Sequence, residues 1–162
     1  MKKFGKLLAI AALAMVSYNA SAELAPQWEK GTMVGNAAIG IQPFGAAVSL
    51  DYVLVDEWWM GHFTVGGEID LRSQDHYGAW GLTPRCTYGL NITPEFEVHA
   101  MVGMGFGSWN YKYDGYKSHD TFILHNEFVG CRYFFADNLA ALAEVGYSNW
   151  FPEVRAGISF KF

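Results

Sequence analysis

Apolar and polar residues alternate with a period of two along most of this chain. In residues 154–162 every even-numbered residue is apolar, whereas every odd-numbered residue is small or charged. Because successive side chains of a β-strand point to opposite faces, this pattern predicts a strand with one apolar and one polar face. An edge strand of this kind would make a soluble protein prone to aggregation. The pattern is instead typical of a strand with lipid on one side and a polar lumen on the other.

The same alternation predicts eight strands, separated by turn residues. They are Thr32–Ile41, Ala46–Val55, Met60–Arg72, Ala79–Leu90, Phe96–Gly107, Thr121–Phe135, Leu139–Tyr147 and Glu153–Phe162. In the sixth segment the apolar face changes near residues 126–128, which predicts a β-bulge. The connections after the second, fourth and sixth strands are tight, and the others are more varied in length. This asymmetry predicts an all-β fold, an eight-stranded antiparallel transmembrane β-barrel with both termini on the short-turn, periplasmic side.

The first 22 residues have the composition of a cleavable signal peptide. Lys2, Lys3 and Lys6 precede an uninterrupted apolar run over residues 7–16, and Ala20-Ser21-Ala22 supplies small residues for cleavage. A run of this length is too short for a transmembrane helix, which needs about 20 residues. We therefore expect a signal peptide at 1–22 and one outer-membrane β-barrel domain at 23–162.

Charge and aromatic residues refine this prediction. Without the three lysines of the signal peptide, the chain keeps 8 of its 11 basic residues against 16 acidic ones, which argues against nucleic-acid binding. The aromatic residues fall at strand ends, as expected for two girdles at the membrane interfaces. The short-turn girdle is predicted to contain Trp58, Trp59, Phe96, Phe135, Phe160 and Phe162, and the opposite girdle Tyr77, Trp80, Phe106, Trp109, Tyr147 and Trp150.

Residues 130–141, with the sequence GCRYFFADNLAA, are followed by Glu144 and by a terminal strand that ends in Phe162. These residues resemble the small outer-membrane β-barrel family of OmpA-type transmembrane domains and OmpX. The resemblance implies residence in the outer membrane of a Gram-negative-type bacterium, in contact with membrane lipid and lipopolysaccharide. It also implies that the terminal aromatic residue, Phe162 with Phe160 beside it, is part of the signal read by the barrel-assembly machinery.

The polar faces of the predicted strands carry many ionisable residues. Those expected to face the lumen are Glu68, Asp70, Arg72, Arg85, Glu97, His99, Arg132, Glu144, Arg155 and Lys161. Eight-stranded barrels have interiors just wide enough for side chains to fill, and buried charges there must be paired. We therefore predict a network of salt bridges that fills the lumen and a structural or surface-interaction role. The alternative is a narrow porin that conducts ions or small solutes.

Other functional classes receive less support from the sequence. His125-Asn126-Glu127 lacks the serine that a lipid A deacylase has two positions after its histidine, and Ser118-His119-Asp120 matches a lipid A palmitoyltransferase only in residue types. The five histidines show no zinc-ligand spacing. A lipocalin-like ligand binder would need its apolar face inside. No catalytic residue, metal ligand or cofactor is predicted, and a lipid A-modifying enzyme remains the less favoured alternative.

Two further features lie on or near the outer surface. Cys86 and Cys131 occupy lipid-facing positions on strands four and six, so their Cα atoms would be about 10 Å apart, too far for a disulfide. We predict two free thiols. The segment 108–120 carries three tyrosines and two lysines. It is predicted to be either a surface loop that binds an unknown ligand, such as lipopolysaccharide phosphates, or a protruding extension of strands five and six.

Overall fold

The computed structural model describes residues 28–41 and 43–162, and both the predicted signal peptide and the domain boundary at residue 23 lie outside them. The described residues form eight strands. They are β1 (Met33–Ile41), β2 (Gly45–Trp58), β3 (Gly61–Gln74), β4 (Tyr77–Asn91), β5 (Phe96–Tyr113), β6 (Tyr116–Ala136), β7 (Leu139–Ser148) and β8 (Val154–Lys161). No helix in this part of the chain is long and apolar enough to cross a membrane.

Each strand pairs antiparallel with its sequence neighbours, and β1 pairs with β8 to close the barrel. Cross-strand partners can be followed once around the barrel, from Thr121 on β6 back to Cys131 on the same strand, ten residues further along. The residues on this path are Thr121, Ser108, Trp80, Leu71, Ala46, Ile39, Ala156, Ala143 and Cys131. A stagger of this size in eight strands corresponds to a strand tilt of about 40°. The eight-stranded antiparallel barrel predicted from the alternation is confirmed.

The two faces of the barrel have opposite character. Apolar side chains cover the outside, where Ile123 and Met104 are 71% and 70% exposed. Charged and amide side chains lie inside, where Glu68, Glu97 and Asn126 are almost wholly buried. A soluble protein would show the reverse arrangement, whereas a barrel in lipid exposes its apolar face to hydrocarbon.

The hairpin of β5 and β6 extends beyond the predicted strand bounds, in agreement with the protruding extension that was one of the two predictions for this segment. Residues 108–113 and 116–120 continue the strand pairing, so the segment 108–120 is an extension of the two strands and not a loop. The hairpin turns at Asp114 and Gly115, both of which have positive φ, 45° and 79°. This is the conformation that two-residue hairpin turns require, and Asp-Gly is a favoured sequence for it. We call the end of the barrel with this turn the hairpin end, and the end with Trp28 and Phe162 the terminal end.

The β-bulge predicted near residues 126–128 is absent, because β5 and β6 pair without a register shift from Phe96 to Tyr113. The apparent change of face arises because the apolar residues Leu124 and Phe128 point into the lumen. Register shifts occur instead in β2 between Val53 and Trp58, and in β6 between Phe134 and Ala136.

Candidate functional site: the barrel lumen

The ionisable residues at the centre of the lumen are held together around Arg155. Its Nε donates to Glu144 Oε2 at 2.5 Å, and its Nη1 and Nη2 donate to the two carboxylate oxygens of Glu68 at 3.0 and 2.9 Å. The carboxylate of Asp70 lies 3.6 Å from Nη1. The guanidinium carbon also lies 4.0 Å from the ring centroid of Phe128. One arginine from β8 therefore binds three carboxylates from β3 and β7.

Arg85, on β4, makes a second set of ion pairs on the other side of Glu68. Its Nη1 donates to Glu68 Oε2 at 2.5 Å, and its Nε donates to Asp51 Oδ1 at 2.8 Å. Arg85 Nη2 donates to the second oxygen of Asp51, so this pair is bidentate. Bidentate Arg–carboxylate pairs fix both partners in one orientation. Glu68 is thus shared between Arg85 and Arg155, which links the neighbouring strands β2, β3 and β4 across the lumen to β8.

A third group lies closer to the terminal end and is centred on Glu97. Arg132 Nη1 donates to Glu97 Oε1 at 2.5 Å, and His99 Nδ1 lies 3.4 Å from the same oxygen. The other ring nitrogen of His99, Nε2, lies 3.0 Å from Glu144 Oε1. His62 Nε2 lies 4.0 Å from Glu97 Oε2. His99 therefore joins the Glu97 group to the Arg155 group.

Uncharged side chains join these groups to one another and connect them to β1. Asn36 donates to Ser49 and Asp51 at 2.8 and 3.1 Å, and accepts from Ser159 at 2.6 Å. Asn126 donates to Glu68 and Asp70, both at 3.1 Å. All eight strands contribute to the resulting network. We define the central network as Asn36, Ser49, Asp51, Glu68, Asp70, Arg85, Glu97, His99, Asn126, Arg132, Glu144, Arg155 and Ser159.

Small residues in the wall give the long side chains their space. A Cβ atom at Gly130 would lie 2.6 Å from Cγ of Glu144 and 2.7 Å from Nε2 of His99. Gly130 is paired with both residues, with His99 on β5 and with Glu144 on β7. A side chain at position 130 would therefore displace the His99–Glu144 contact.

A hydrophobic cluster covers the network at the terminal end. Trp28, which is 2% exposed, packs with Val34, Val53, Phe134 and Ala140. The indole Nε1 donates to Asn91 Oδ1 at 3.2 Å, and the ring lies 4.8 Å from the imidazole of His62. A buried indole usually finds a hydrogen-bond partner in this way. We call these five apolar residues the terminal cap.

A second cluster covers the network at the hairpin end. It consists of Ala79, Leu124 and Phe151, with Tyr77, Trp109, Phe122 and Trp150 packed against it. Phe151 is 2% exposed and comes from the connection between β7 and β8. Its backbone N–H donates to Ser148 Oγ at 3.1 Å, and the neighbouring Trp150 stacks on Phe122 with ring centroids 4.1 Å apart. We call these seven residues the hairpin cap.

The structure places two of the predicted lumen residues outside the central network. Arg72 lies in the hairpin end, where it donates to the carbonyl of Trp150 at 3.1 Å and lies 5.1 Å from the Tyr77 ring centroid. Lys161 lies at the terminal cap, with Nζ 5.6 Å from the ring centroid of Trp28 and 5.7 Å from that of Phe134. The other eight predicted residues lie together in the network.

Sequence reasoning missed several residues of the lumen. The predicted set contains only ionisable side chains, so it lacks the uncharged network members Asn36, Ser49, Asn126 and Ser159. It also lacks Asp51, His62, Trp28 and Phe151. The alternation of β2 already places Asp51 on the polar face, and that of β3 could have placed His62 there. Trp28 and Phe151 lie in segments without a strand pattern, so no periodicity marks them as inward-facing. Part of the predicted outer girdle is also placed differently by the structure. Tyr77, Trp109 and Trp150 pack into the hairpin cap and do not face lipid.

The candidate enzyme motifs do not form a catalytic arrangement in the described residues. His125 is on the outward face, with its ring 5.3 Å from that of Tyr147, and Glu127 is on the same face. His119 and Ser118 are adjacent on β6, so their side chains point to opposite faces. Among residues 28–41 and 43–162, no group of three His, Cys, Asp or Glu residues could hold a metal ion. Cys86 and Cys131 are both free, as predicted.

A closed barrel with an apolar outer face and a polar interior is characteristic of transmembrane β-barrels. The eight-stranded barrel described above has both features. The chain belongs to the outer membrane protein beta-barrel domain family, whose model matches residues 7–161. It is therefore an integral protein of the bacterial outer membrane, of the kind found in Gram-negative cells. The OmpA-like character expected from the sequence is confirmed at this level.

Solved structures share this fold at low sequence identity. The N-terminal β-barrel domain of Pseudomonas aeruginosa OprF has a TM-score of 0.63 and 15% identity, covering 81% of this chain and 96% of that one. A de novo designed transmembrane β-barrel has a TM-score of 0.58 and 17% identity, with coverage of 83% and 98%. Neisserial surface protein A has a TM-score of 0.52 and 15% identity, with coverage of 81% and 94%. A comparison with curated proteins gave no match.

Proposed function

We propose that this protein is a non-conducting outer-membrane barrel whose lumen is filled by the central network and closed by the two caps. Its role is then structural or concerned with interactions at the cell surface, and not with solute transport or catalysis. The observation that carries this proposal is the layered lumen, in which paired charges lie between the terminal cap and the hairpin cap. In this arrangement the hairpin end faces the cell exterior and the terminal end faces the periplasm.

The energetics of the network support a closed lumen. An ion that crossed the barrel would have to displace Arg155 from Glu68 and Glu144, which are bound at 2.9 and 2.5 Å. Separating a buried ion pair leaves an uncompensated charge and costs about 3–5 kcal/mol. The ion would also have to pass Trp28 and Phe151, whose side chains are almost fully buried at opposite ends. A narrow porin would need a continuous polar path in place of these two clusters.

Single-channel conductance in planar lipid bilayers tests this proposal. We expect the purified protein to give no steps above the bilayer background. The double variant Trp28→Ala/Phe151→Ala, which removes one ring from each cap, is expected to give small, brief openings. The matched control is Trp59→Ala/Phe44→Ala, which removes two exposed rings from turns at the same two ends. Regular, long-lived steps from the unmodified protein would contradict a closed lumen and favour the narrow porin.

The terminal strand supports a second part of the proposal, recognition by the barrel-assembly machinery through Phe160 and Phe162. Both rings are exposed, and their centroids lie 5.6 Å apart at the terminal end. We expect Phe162→Ala to lower the amount of folded protein in the outer membrane while leaving spontaneous refolding into detergent unchanged. Phe135→Ala serves as the control, because it removes an exposed ring from the same end of the barrel at a position far from the C-terminus of the sequence. Equal losses for both variants would show a general effect on folding.

A further inference from the structure

Two ionisable residues interrupt the apolar outer wall of the barrel. His125 and Glu127 lie two residues apart on the outward face of β6. Glu127 is four residues from Ile123 in the sequence, which is about 13 Å along the strand and about 10 Å along the barrel axis at the strand tilt. Ile123 is paired with Phe106 of the aromatic girdle, so the Glu127 carboxylate lies within the apolar band, which is about 25 Å tall in barrels of this class.

Glu127 lacks a partner on its own barrel. Within residues 28–41 and 43–162 its side chain makes no hydrogen bond or ion pair, and neither does the imidazole of His125. Apart from these two residues, no Asp, Glu, His, Lys or Arg of the described chain faces outward between the girdle at Phe106 and the girdle at Phe160. Lipid acyl chains offer no hydrogen-bond donor, and charged groups on the lipid face of a barrel are destabilising. Because ionisable residues in membrane-spanning segments usually pair and mark functional contacts, we expect the partner of this carboxylate to come from another molecule in the membrane.

A second copy of the chain carries the group that Glu127 lacks. The imidazole N–H of His125 can donate a hydrogen bond to a carboxylate, and its ring is packed 5.3 Å from the ring of Tyr147. Residues two apart on a strand are separated by about 7 Å, or about 5 Å along the barrel axis, which two flexible side chains can span. A two-fold axis parallel to the barrel axis therefore brings His125 of each copy beside Glu127 of the other. Such an isologous interface makes the same contact twice.

The wall around Glu127 also has a shape that can pack against itself. An open groove beside Glu127 is lined by Val65, Pro84 and Val102. It lies where the pairing of β4 with β5 is interrupted, between the pairs Leu82–Phe106 and Arg85–Gly103. Proline cannot donate a backbone hydrogen bond, which explains an interruption at this point.

The groove is bordered by the most prominent apolar side chains of the barrel wall. Met104 and Ile123, which flank His125 on the outward face, are 70% and 71% exposed. A ridge and a groove in one patch are complementary when two copies of that patch meet about a two-fold axis.

We propose that this protein forms a two-fold dimer in the membrane through the outer face of β4, β5 and β6. Glu127 of each copy accepts a hydrogen bond from His125 of the other, and the ridge of each copy packs into the groove of the other. Both members of the polar pair are thereby removed from lipid. The contact uses only the lipid-facing wall, so it does not depend on whether the lumen is closed.

Sedimentation equilibrium of the purified protein in density-matched detergent micelles tests the proposal, because it measures the association constant of the dimer. Glu127→Leu and His125→Leu are each expected to lower this constant about tenfold, since each removes both hydrogen bonds of the dimer. Glu57→Leu is the matched control, because it removes an exposed carboxylate from a turn at the terminal end and is expected to have no effect. Heat-modifiable migration on gels checks that every variant is folded.

Mixing the two single variants gives a readout that a general effect on folding would not produce. A dimer of one Glu127→Leu copy and one His125→Leu copy regains one of the two hydrogen bonds. Energy transfer between differently labelled copies is therefore expected to show about threefold more of this mixed dimer than random pairing predicts.

The groove is tested by filling it. Val102→Trp is expected to weaken the dimer, whereas Val48→Trp, at an equally exposed position on β2, is expected to leave it unchanged. A protein that stays monomeric at the highest protein-to-detergent ratio would overturn the proposal, and so would an unchanged association constant in Glu127→Leu. A dimer without an excess of the mixed species would also overturn it, because Glu127 and His125 would then not meet across the axis. Equal effects of the two tryptophan variants would place the interface elsewhere on the wall.

Discussion

Replacement of Arg155 by leucine tests whether the lumen is held together by dry, paired charges. The guanidinium lies within 3.6 Å of three carboxylates, those of Glu68, Asp70 and Glu144. Removing one partner of a buried ion pair costs about 3–5 kcal/mol, mainly because the opposite charge is left uncompensated. Glu68 would keep Arg85 and Glu144 would keep His99, whereas Asp70 would keep only the hydrogen bond from Asn126. We expect Arg155→Leu to lower the free energy of unfolding by about 4 kcal/mol.

The measurement is urea unfolding of the protein in phosphatidylcholine vesicles, followed by tryptophan fluorescence and by heat-modifiable migration on gels. Arg72→Leu is the matched control, because this arginine donates to the Trp150 carbonyl and to Gln74 and has no carboxylate partner in the network. It is expected to cost only about 1 kcal/mol. The double variant Arg155→Leu/Glu144→Leu is expected to recover part of the loss, because it removes one uncompensated carboxylate. A loss below about 1 kcal/mol for Arg155→Leu would refute the reasoning, since it would mean that water solvates these carboxylates.

Two further predictions concern the barrel wall. Glu127 is exposed on the outward face, two pairs below Phe106–Ile123 and opposite Val102. Glu127→Leu should therefore raise the free energy of unfolding in vesicles by about 1 kcal/mol, and no gain would indicate that this carboxylate is not in hydrocarbon. A Cβ atom at Gly105 would collide with the Leu82 carbonyl, whereas one at Gly67 would meet no atom within 4 Å. Gly105→Ala should therefore cost about 1–3 kcal/mol in the same assay and Gly67→Ala much less, and equal effects would contradict this strand packing.

The lumen illustrates which parts of a site a sequence can reveal. Eight of the predicted lumen residues meet in the central network because a strand with a period of two fixes the face of every residue on it. The predicted lumen set contains four acidic and five basic residues, and the central network departs from this balance. Arg72 and Lys161 lie at the two caps, and Asp51 joins the network, so five carboxylates face three guanidinium groups there. The position of a side chain along the barrel axis depends on strand tilt and register. The alternation within a single strand gives neither of them.

The hairpin of β5 and β6 shows the same limit at the surface. Tyrosine, lysine and asparagine at 109–113 suggested a loop, because these residues break the apolar pattern that marks a strand in lipid. Pairing with Tyr116–Asp120 continues to the turn nevertheless, since backbone hydrogen bonds do not require apolar side chains. Only this pairing brings Lys112 opposite Lys117.

The sequence by itself determined that this chain forms an antiparallel barrel in the outer membrane, because the period of two, the spacing of the turns and the aromatic strand ends are local properties. The terminal strand at 154–162 already carried that information. Tertiary structure alone decided that Trp28 and Phe151 are buried at the two ends and that Arg155 binds Glu68, 87 residues away in the chain. These contacts depend on the closure of β1 on β8 and on the shared register of all eight strands, which arise only when the whole barrel forms.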